Sequence, residues 1–408
     1  MSMDKALKLR YKNLKLHRKL LKAEKYIDFL DFDEKKRGVL IIDSIVPEYD
    51  RDSGSRRLFH IIEIMLKRNF NVFLMADSKE YKFKKKYCEA YRNLGAVVYE
   101  PALDKNNKLI NRKRFIKIVS PHIEFAWLHR PEIFYKYYSF VKKSSNTKLV
   151  FDMVDFHYLR LKREWERSKE PLIEKEMDKY LQIELHNAEM ADVVIPITEE
   201  DKNELFPLLH KKPKMIVVGN IHQFKKDNLN FKNFNQRENI LFIGSFLHKP
   251  NIDAVKYLHA SIFPILLKKI PALKIEIIGS YAPQEILDLN SENFRVLGFV
   301  EDISEYFNSA KIFVAPLAYG AGIKGKIGQS LEFGLPLVTT EKGAEGFDFS
   351  PTKELMVAPI DNPTIFVEKI IALYTNEKLW ESVSENAEKI LEPFSLDKIE
   401  ARVIEILQ

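Results

Sequence analysis

The sequence predicts an α/β protein built from two Rossmann-like, doubly wound domains that face each other across a cleft, with a basic helix ahead of them. Three observations carry this. Short apolar runs alternate with helix-length amphipathic stretches from Gly38 onward, as in a parallel sheet covered on both faces. The alternation breaks once, in a polar stretch rich in asparagine and lysine at 224–238, and then restarts, so there are two sheets rather than one. A chain of 408 residues with 46% hydrophobic composition has enough apolar side chains for two cores.

The elements follow in order. Residues 1–37 form a leader. Within it, residues 1–25 hold nine Lys or Arg against Asp4 and Glu24, a net +7 that equals the net charge of the whole chain. The rest is therefore close to neutral, which argues against a basic globule that binds nucleic acid. Leu7, Leu14 and Leu21 stand in heptad register with Tyr11 between the first two, so the leader is expected to be an amphipathic helix with cationic flanks. Three readings stay open for it: a solvated or coiled-coil helix, a helix resting on an anionic membrane surface, or a binder of other polyanions.

The first domain, 38–223, has expected strands at 38–46, 71–77, 96–100, 124–130, 148–155, 192–197 and 215–220, and Thr198 reads as a helix N-cap. The second, 239–375, has them at 239–246, 273–280, 294–300, 311–316, 336–340 and 354–359. A helical pair over roughly 362–407 follows, and 376–408 closes the chain. No apolar run approaches the roughly 20 residues of a membrane helix, and the N-terminus lacks the apolar core of a signal peptide. The single cysteine, Cys88, excludes an internal disulfide framework and suits a reducing compartment. The expectation is a cytoplasmic protein, with peripheral attachment to the inner face of the cell membrane as the open alternative that the leader offers.

Chemistry is expected in the loops that follow strands, where open α/β sheets bind ligands. The stretch "GAGIKGKIGQSLEFGLPLVTT", 320–340, puts Gly320, Gly322 and Gly325 with Lys324 and Lys326 directly before a helix that stops at Gly334. Backbone N–H groups, the helix dipole and Lys326 would converge on one anionic group, and a diphosphate would be held without a metal. The plainer reading, a tight loop with solvated lysines, stands beside it. In the first domain, "PEYDRDSGSRR" leads into a helix near Gly54, from whose first turns Arg56 and Arg57 could reach a phosphate; alternatively Asp52 or Ser53 caps the helix and both arginines are solvated. "DMVDFHYLR" offers Asp152, Asp155, His157 and Arg160 at a strand's carboxyl end, able to orient an acceptor hydroxyl or contact a donor sugar, and His129-Arg130 follows another strand. "DFD" (31–33) and "DRD" (50–52) are discounted as metal motifs, and Pro250 with Asn251 reads as helix initiation.

The order of these motifs is more specific than any one of them. "FIGSFLHKPNIDAVKYL" followed by "VLGFVEDISEYFNSAKIFVAPLAYGAGIKGKIGQSLEFGLPLVTTEKGAEGF" resembles the glycosyltransferase family 4 pattern of GT-B nucleotide-sugar enzymes over nearly all of 240–348. "VPEYDRDSGSRRLFHIIEIMLKRNFNV", "WLHRPEIFYKYY" and "LVFDMVDFHYLRLKREWE" are similar to the partner domain of a subgroup that makes bacterial surface polysaccharides. The resemblance implies a GT-B fold and transfer of a sugar from a nucleotide-sugar donor to a glycan or lipid-linked acceptor, with retention of configuration and no metal or other cofactor. It places the donor base near Gly298, Phe299 and Val300, and the diphosphate and sugar near Gly320, Gly322, Lys324 and Lys326, with Lys249 as a second phosphate contact. Lys326, His157 and Asp155 would be catalytic, and Gly54, Arg56 and Arg130 would serve the acceptor or phosphate side. Two departures stand out. Ser245 occupies the place of an arginine, and the family's pair of glutamates maps to Ala321 and Gln329. Gln329 can still hydrogen-bond a ribose hydroxyl through its amide. The missing acids leave room for a catalytically degenerate GT-B protein that binds nucleotide or glycan as a partner in polysaccharide assembly, and a sugar-nucleotide epimerase is the other enzymatic reading.

Overall fold

A computed structural model describes residues 3–408 apart from 30, 80, 82, 145, 226–230, 321 and 351. The first domain is a seven-stranded parallel sheet ordered β3-β2-β1-β6-β7-β8-β9, made of β1 (Gly38–Asp43), β2 (Asn71–Ala76), β3 (Val97–Val98), β6 (Phe125–His129), β7 (Lys148–Asp152), β8 (Val193–Ile195) and β9 (Lys214–Met215). A small antiparallel hairpin, β4 (Ala102–Leu103) with β5 (Leu109–Ile110), follows β3. The second domain is a five-stranded parallel sheet ordered β12-β11-β10-β13-β14, made of β10 (Ile240–Ile243), β11 (Ile275–Ile278), β12 (Phe294–Gly298), β13 (Ile312–Ala315) and β14 (Leu337–Thr339). Both are doubly wound, and the whole is a GT-B architecture.

Every residue of β1 is buried because helices cover both faces. Leu40 and Ile42 join Phe73, Met75 and Leu128 on one side, while Val39 and Ile41 join Val72, Leu74 and Trp127 on the other. The second domain has a single cluster around Ile240, Phe242, Ile277 and Phe313.

Three stretches differ from expectation. The run 354–359 is not a strand: Lys353–Met356 forms a helical turn, and only Val357 bridges to β14, at Thr339. The chain ends in three helices, Pro363–Thr375, Glu377–Leu391 and Leu396–Ile406, so 376–408 is no single closing helix. The last of them returns to the first domain, where Ile399, Val403 and Ile406 are buried in the same cluster as Leu58, Ile61 and Met65. Spaced four and three residues apart, these apolar side chains make one stripe, and its partner lies more than 300 residues earlier in the chain.

The leader is helical over Met3–Lys22. Its C-terminal end docks on the hairpin: Leu20 is buried, and Leu103 exchanges backbone hydrogen bonds with Lys25 and Ile27. The opposite face carries Leu7, Tyr11 and Leu14, which are 59%, 70% and 52% exposed.

Candidate active site

The carboxyl ends of both sheets open into one cleft, a cavity of about 850 Å³ that runs into a second of about 350 Å³. Arg51, Asp52, Ser53, Asn220, Ser245 and Phe299 border both.

Two helix N-termini meet there head to head. Helix Ser53–Lys67 is capped by Asp52, whose carboxylate accepts from Ser55 N at 2.8 Å and Ser55 Oγ at 2.7 Å. Helix Gly325–Glu332 has no side-chain cap; Ile327 N donates back to Lys324 O at 2.8 Å, which leaves the amides of Gly325 and Lys326 available to an anion. A Cβ on Gly325 would lie 2.0 Å from Ser53 Oγ, so glycine alone permits this approach. Ahead of it, Gly320 (φ 137°) and Gly322 (φ 67°) take backbone conformations that L side chains rarely adopt.

Lys326 projects from the first turn of that helix into the larger cavity. Its ammonium donates to Asn251 Oδ1 and lies 4.6 Å from the centre of the Phe242 ring. Asn251 in turn donates to Ser245 O at 2.6 Å, which fixes its amide. Asn251 is thus no cap but the residue that aims Lys326. Burial, then the charge of Lys324, pushes the Lys326 pKa down to about 7, and among the described residues it forms no ion pair. Lys324 differs: it bonds to Gly322 O and lies 3.3 Å from Glu345. Its pKa is lowered by burial, a fall that Glu345 opposes.

The other wall comes from the first domain. Arg57 borders the larger cavity, but its guanidinium is engaged in the wall: 1% exposed, it places Nη1 at 3.0 and 2.9 Å from the two Asp152 oxygens and donates Nε to Val218 O at 3.0 Å. Trp127 Nε1 also donates to Asp152, at 2.8 Å. Arg56 pairs with buried Glu332 across the cleft at 3.0 Å and borders the smaller cavity. Arg130, at φ 90°, donates Nε to Asp43 at 3.0 Å, and Gly54 sits beside it in the cavity wall. Val154, β-branched and at φ 64°, is strained backbone between Asp152 and Asp155.

Asp155 and His157 stand together in the larger cavity. Arg160 Nε donates to Asp155 at 2.8 Å. Burial opposes the Asp155 charge, but His157 and Arg160 prevail and lower its pKa. The His157 ring stacks on Tyr180 at 4.7 Å, with Nδ1 3.3 Å from Glu184 Oε1. Burial works against its charge too, yet Glu184 and Asp155 raise its pKa. Glu184 also accepts from the backbone N–H groups of His157 and Tyr158, each at 3.0 Å, and so caps their helix from a neighbouring one.

Of the residues expected at the site, Lys326, His157, Asp155, Gly320, Gly322, Lys324, Gly54 and Arg130 line the larger cavity, while Val300, Gln329 and Arg56 line the smaller. Gly298 borders neither; its φ of 70° turns the chain so that Phe299 and Val300 do. Lys249 is displaced: its exposed ammonium pairs with Glu164 at 3.2 Å outside the cavity, because the helix begins at Lys249 itself. Ala321 lies outside the described residues. Asn251, Ser53, Tyr319 and Asn220 also border the cavity; Ser53 and Asn251 read in the sequence only as parts of helix starts, and neither Tyr319 nor Asn220 stands out there as a site residue.

A two-domain GT-B fold with a cleft at the carboxyl ends of both sheets is the class that this geometry defines. Residues 237–376, which span the second domain, match the family described as Glycosyl transferases group 1. Solved structures similar to the whole chain include a variant of Staphylococcus aureus TarM in complex with Fondaparinux, alpha-GlcNAc-glycerol and UDP (11% identity, 91% of this chain and 100% of that one, TM-score 0.68). Others are sucrose-phosphate synthase from Thermosynechococcus elongatus (11%, 91% and 98%, 0.65) and Anabaena HepE in complex with UDP-glucose (11%, 91% and 99%, 0.62). An uncharacterized 44.6 kDa protein of the cps region of Klebsiella pneumoniae is 24% identical over 176 residues, which is 41% of this chain and 44% of that protein. The match thus spans under half of that curated relative.

Proposed function

We propose that the protein transfers a sugar from a nucleotide-sugar donor to a glycan or lipid-linked acceptor in the synthesis of a surface polysaccharide. One observation carries this: an uncapped helix N-terminus and a partly buried lysine without an ion-pair partner among the described residues face the same cavity. A diphosphate fits the charge and the backbone donors gathered there. Negative charge grows on a leaving diphosphate as the glycosidic bond breaks, so Lys326 and the loop would stabilise the transition state more than the ground state. No metal is needed in this scheme. The smaller cavity, with Val300 and Gln329, would take base and ribose; Asp155, His157 and Arg130 would orient donor sugar and acceptor. Retention of configuration by same-face attack belongs to the proposal, as does attachment of the leader's exposed stripe to an anionic membrane. The UDP complexes among the similar structures and the cps-region relative support the donor class and the pathway.

The test is a thermal-shift panel of UDP, GDP, CDP and dTDP with their sugar conjugates, wild type against Lys326→Ala. A selective shift that the variant loses supports a donor site and identifies the base. Binding without turnover of any conjugate would favour the degenerate reading that Gln329, in place of an acid, keeps in view. No shift from any nucleotide would defeat the donor site.

A further inference from the structure

Glycine-rich loops do not hold their own shape, because residues without side chains can adopt many backbone conformations. Ala318, Gly320 and Gly322 are held from outside. Arg163 places Nη1 2.8 Å from Gly320 O and 2.9 Å from the Glu345 carboxylate, while Nη2 bonds to Glu200. One helical turn further on, Arg167 donates to Ala318 O at 3.0 Å and stacks its guanidinium 5.2 Å from the Tyr319 ring. Lys324 takes Gly322 O. Three alternate carbonyl oxygens are therefore occupied by cations, and two of those cations belong to the helix His157–Ser168 of the opposite domain.

We infer that Arg163, with Arg167 beside it, is a positioning residue of the first domain that gives the donor loop its working shape. This rests on the donor reading of 320–326. A carbonyl that swung into the cavity would meet a diphosphate with its negative end; bound to a guanidinium, it is turned away. The planar fork of arginine is suited to the task, since it serves a carbonyl and two carboxylates at once, where an ammonium would have to choose. The same helix opens with His157 and carries Arg160 on Asp155, so one rigid element sets both the cavity's first-domain wall and the far side of the donor loop. The donor site is complete only when the two domains are closed on each other.

The experiment uses the full chain as wild type, Arg163→Ala, Arg163→Lys and Arg167→Ala. It reads amide hydrogen exchange in peptides across 316–326, affinity for the nucleoside diphosphate that the panel selects, and acceptor-free hydrolysis of UDP-glucose, GDP-mannose and dTDP-glucose. Arg163→Ala is expected to exchange roughly tenfold faster in that loop and to hydrolyse donor at least about tenfold more slowly, since a misplacement near 1 Å can cost as much as about 100-fold. Its affinity for the diphosphate, held mainly by Lys326, is expected to stay within about threefold, and Arg163→Lys to recover part of the rate. Wild-type exchange and wild-type turnover in Arg163→Ala would overturn the inference. If Arg163→Ala fails to fold, Arg167→Ala carries the test, because its exposed side chain touches the loop at Ala318 O and the Tyr319 ring, and unchanged loop exchange there counts against the clasp. Absence of nucleotide binding by the wild type would sink the donor reading, while the exchange comparison would still decide whether these arginines hold the loop.

Discussion

The ammonium of Lys326 and the ring of Phe242 lie 4.6 Å apart, one a partly buried cation and the other the face of an aromatic core residue. A ring and one amide oxygen are weak compensation for lost water, which is why the lysine's pKa falls to about 7. Only the charged form attracts a diphosphate. Affinity should therefore be fully expressed below pH 7 and fall as pH rises through it, approaching tenfold per unit between about pH 8 and 9. An unfolded lysine titrates near 10.4, so between about pH 7 and 10 the unfolded chain binds more protons and this site's penalty on stability shrinks as pH rises. Calorimetry at pH 7.5 to 9, in buffers of different ionisation heat, should show proton uptake on binding. Lys326→Met should abolish both the uptake and the slope; a slope that survives would assign it elsewhere.

Arg57 and Arg56 are neighbours with opposite expected phenotypes. Removing Arg57 strands Asp152, which is fully buried and would keep, among the described residues, the Trp127 N–H at 2.8 Å and the more distant His129 Nε2 at 3.9 Å. Arg57→Ala should lower stability by about 3–5 kcal/mol in urea unfolding. Arg56→Ala leaves Glu332 with His222 at 2.8 Å and Lys225 at 3.7 Å, so about 1 kcal/mol or less is expected. Equal losses would contradict this division of roles.

That contrast shows what could be read in advance. The two sheets were legible because a strand buried on both faces must be apolar along its length, as β1 is. The glycine and lysine loop was legible because glycine beside lysine before a helix has few structural uses. Which of two adjacent arginines turns inward depends on Asp152, 95 positions away, and nothing local encodes it. Asn251 looks like a cap because asparagine commonly is one; its bond to Lys326 spans 75 positions. "ELMVAP" is too short for its period to separate a helical turn from a strand.

The leader offers a third test. Leu7, Tyr11 and Leu14 form an exposed stripe on one face of the Met3–Lys22 helix, bordered by Lys15, Lys19 and Lys22. Each basic residue near an anionic surface contributes about 1 kcal/mol. Reversing Lys15, Lys19 and Lys22 to Glu should thus reduce co-sedimentation with phosphatidylglycerol vesicles at least about 100-fold, with nucleotide affinity unchanged. Equal binding to phosphatidylcholine vesicles, or none to either, would remove the membrane from the proposal.

Gly325 tests whether the two helix N-termini must meet. A methyl group there would lie 2.0 Å from Ser53 Oγ and 2.9 Å from Ser53 Cβ. Rotating the hydroxyl relieves the first clash but not the second, so the domains would have to part by several tenths of an ångström, which close-packed surfaces resist. Gly325→Ala should keep its melting temperature within a few degrees, because the strain falls between domains rather than within either core. Donor hydrolysis should fall by about tenfold or more, since Lys326 and the first-domain wall would no longer converge on one diphosphate. Ser53→Gly removes the obstructing side chain, so the double variant should regain most of the rate, a coupling that a double-mutant cycle reads directly. Full activity in Gly325→Ala alone would mean that the donor is handled without this contact; an equal deficit in single and double variants would place the fault inside the Gly325 helix rather than between the two.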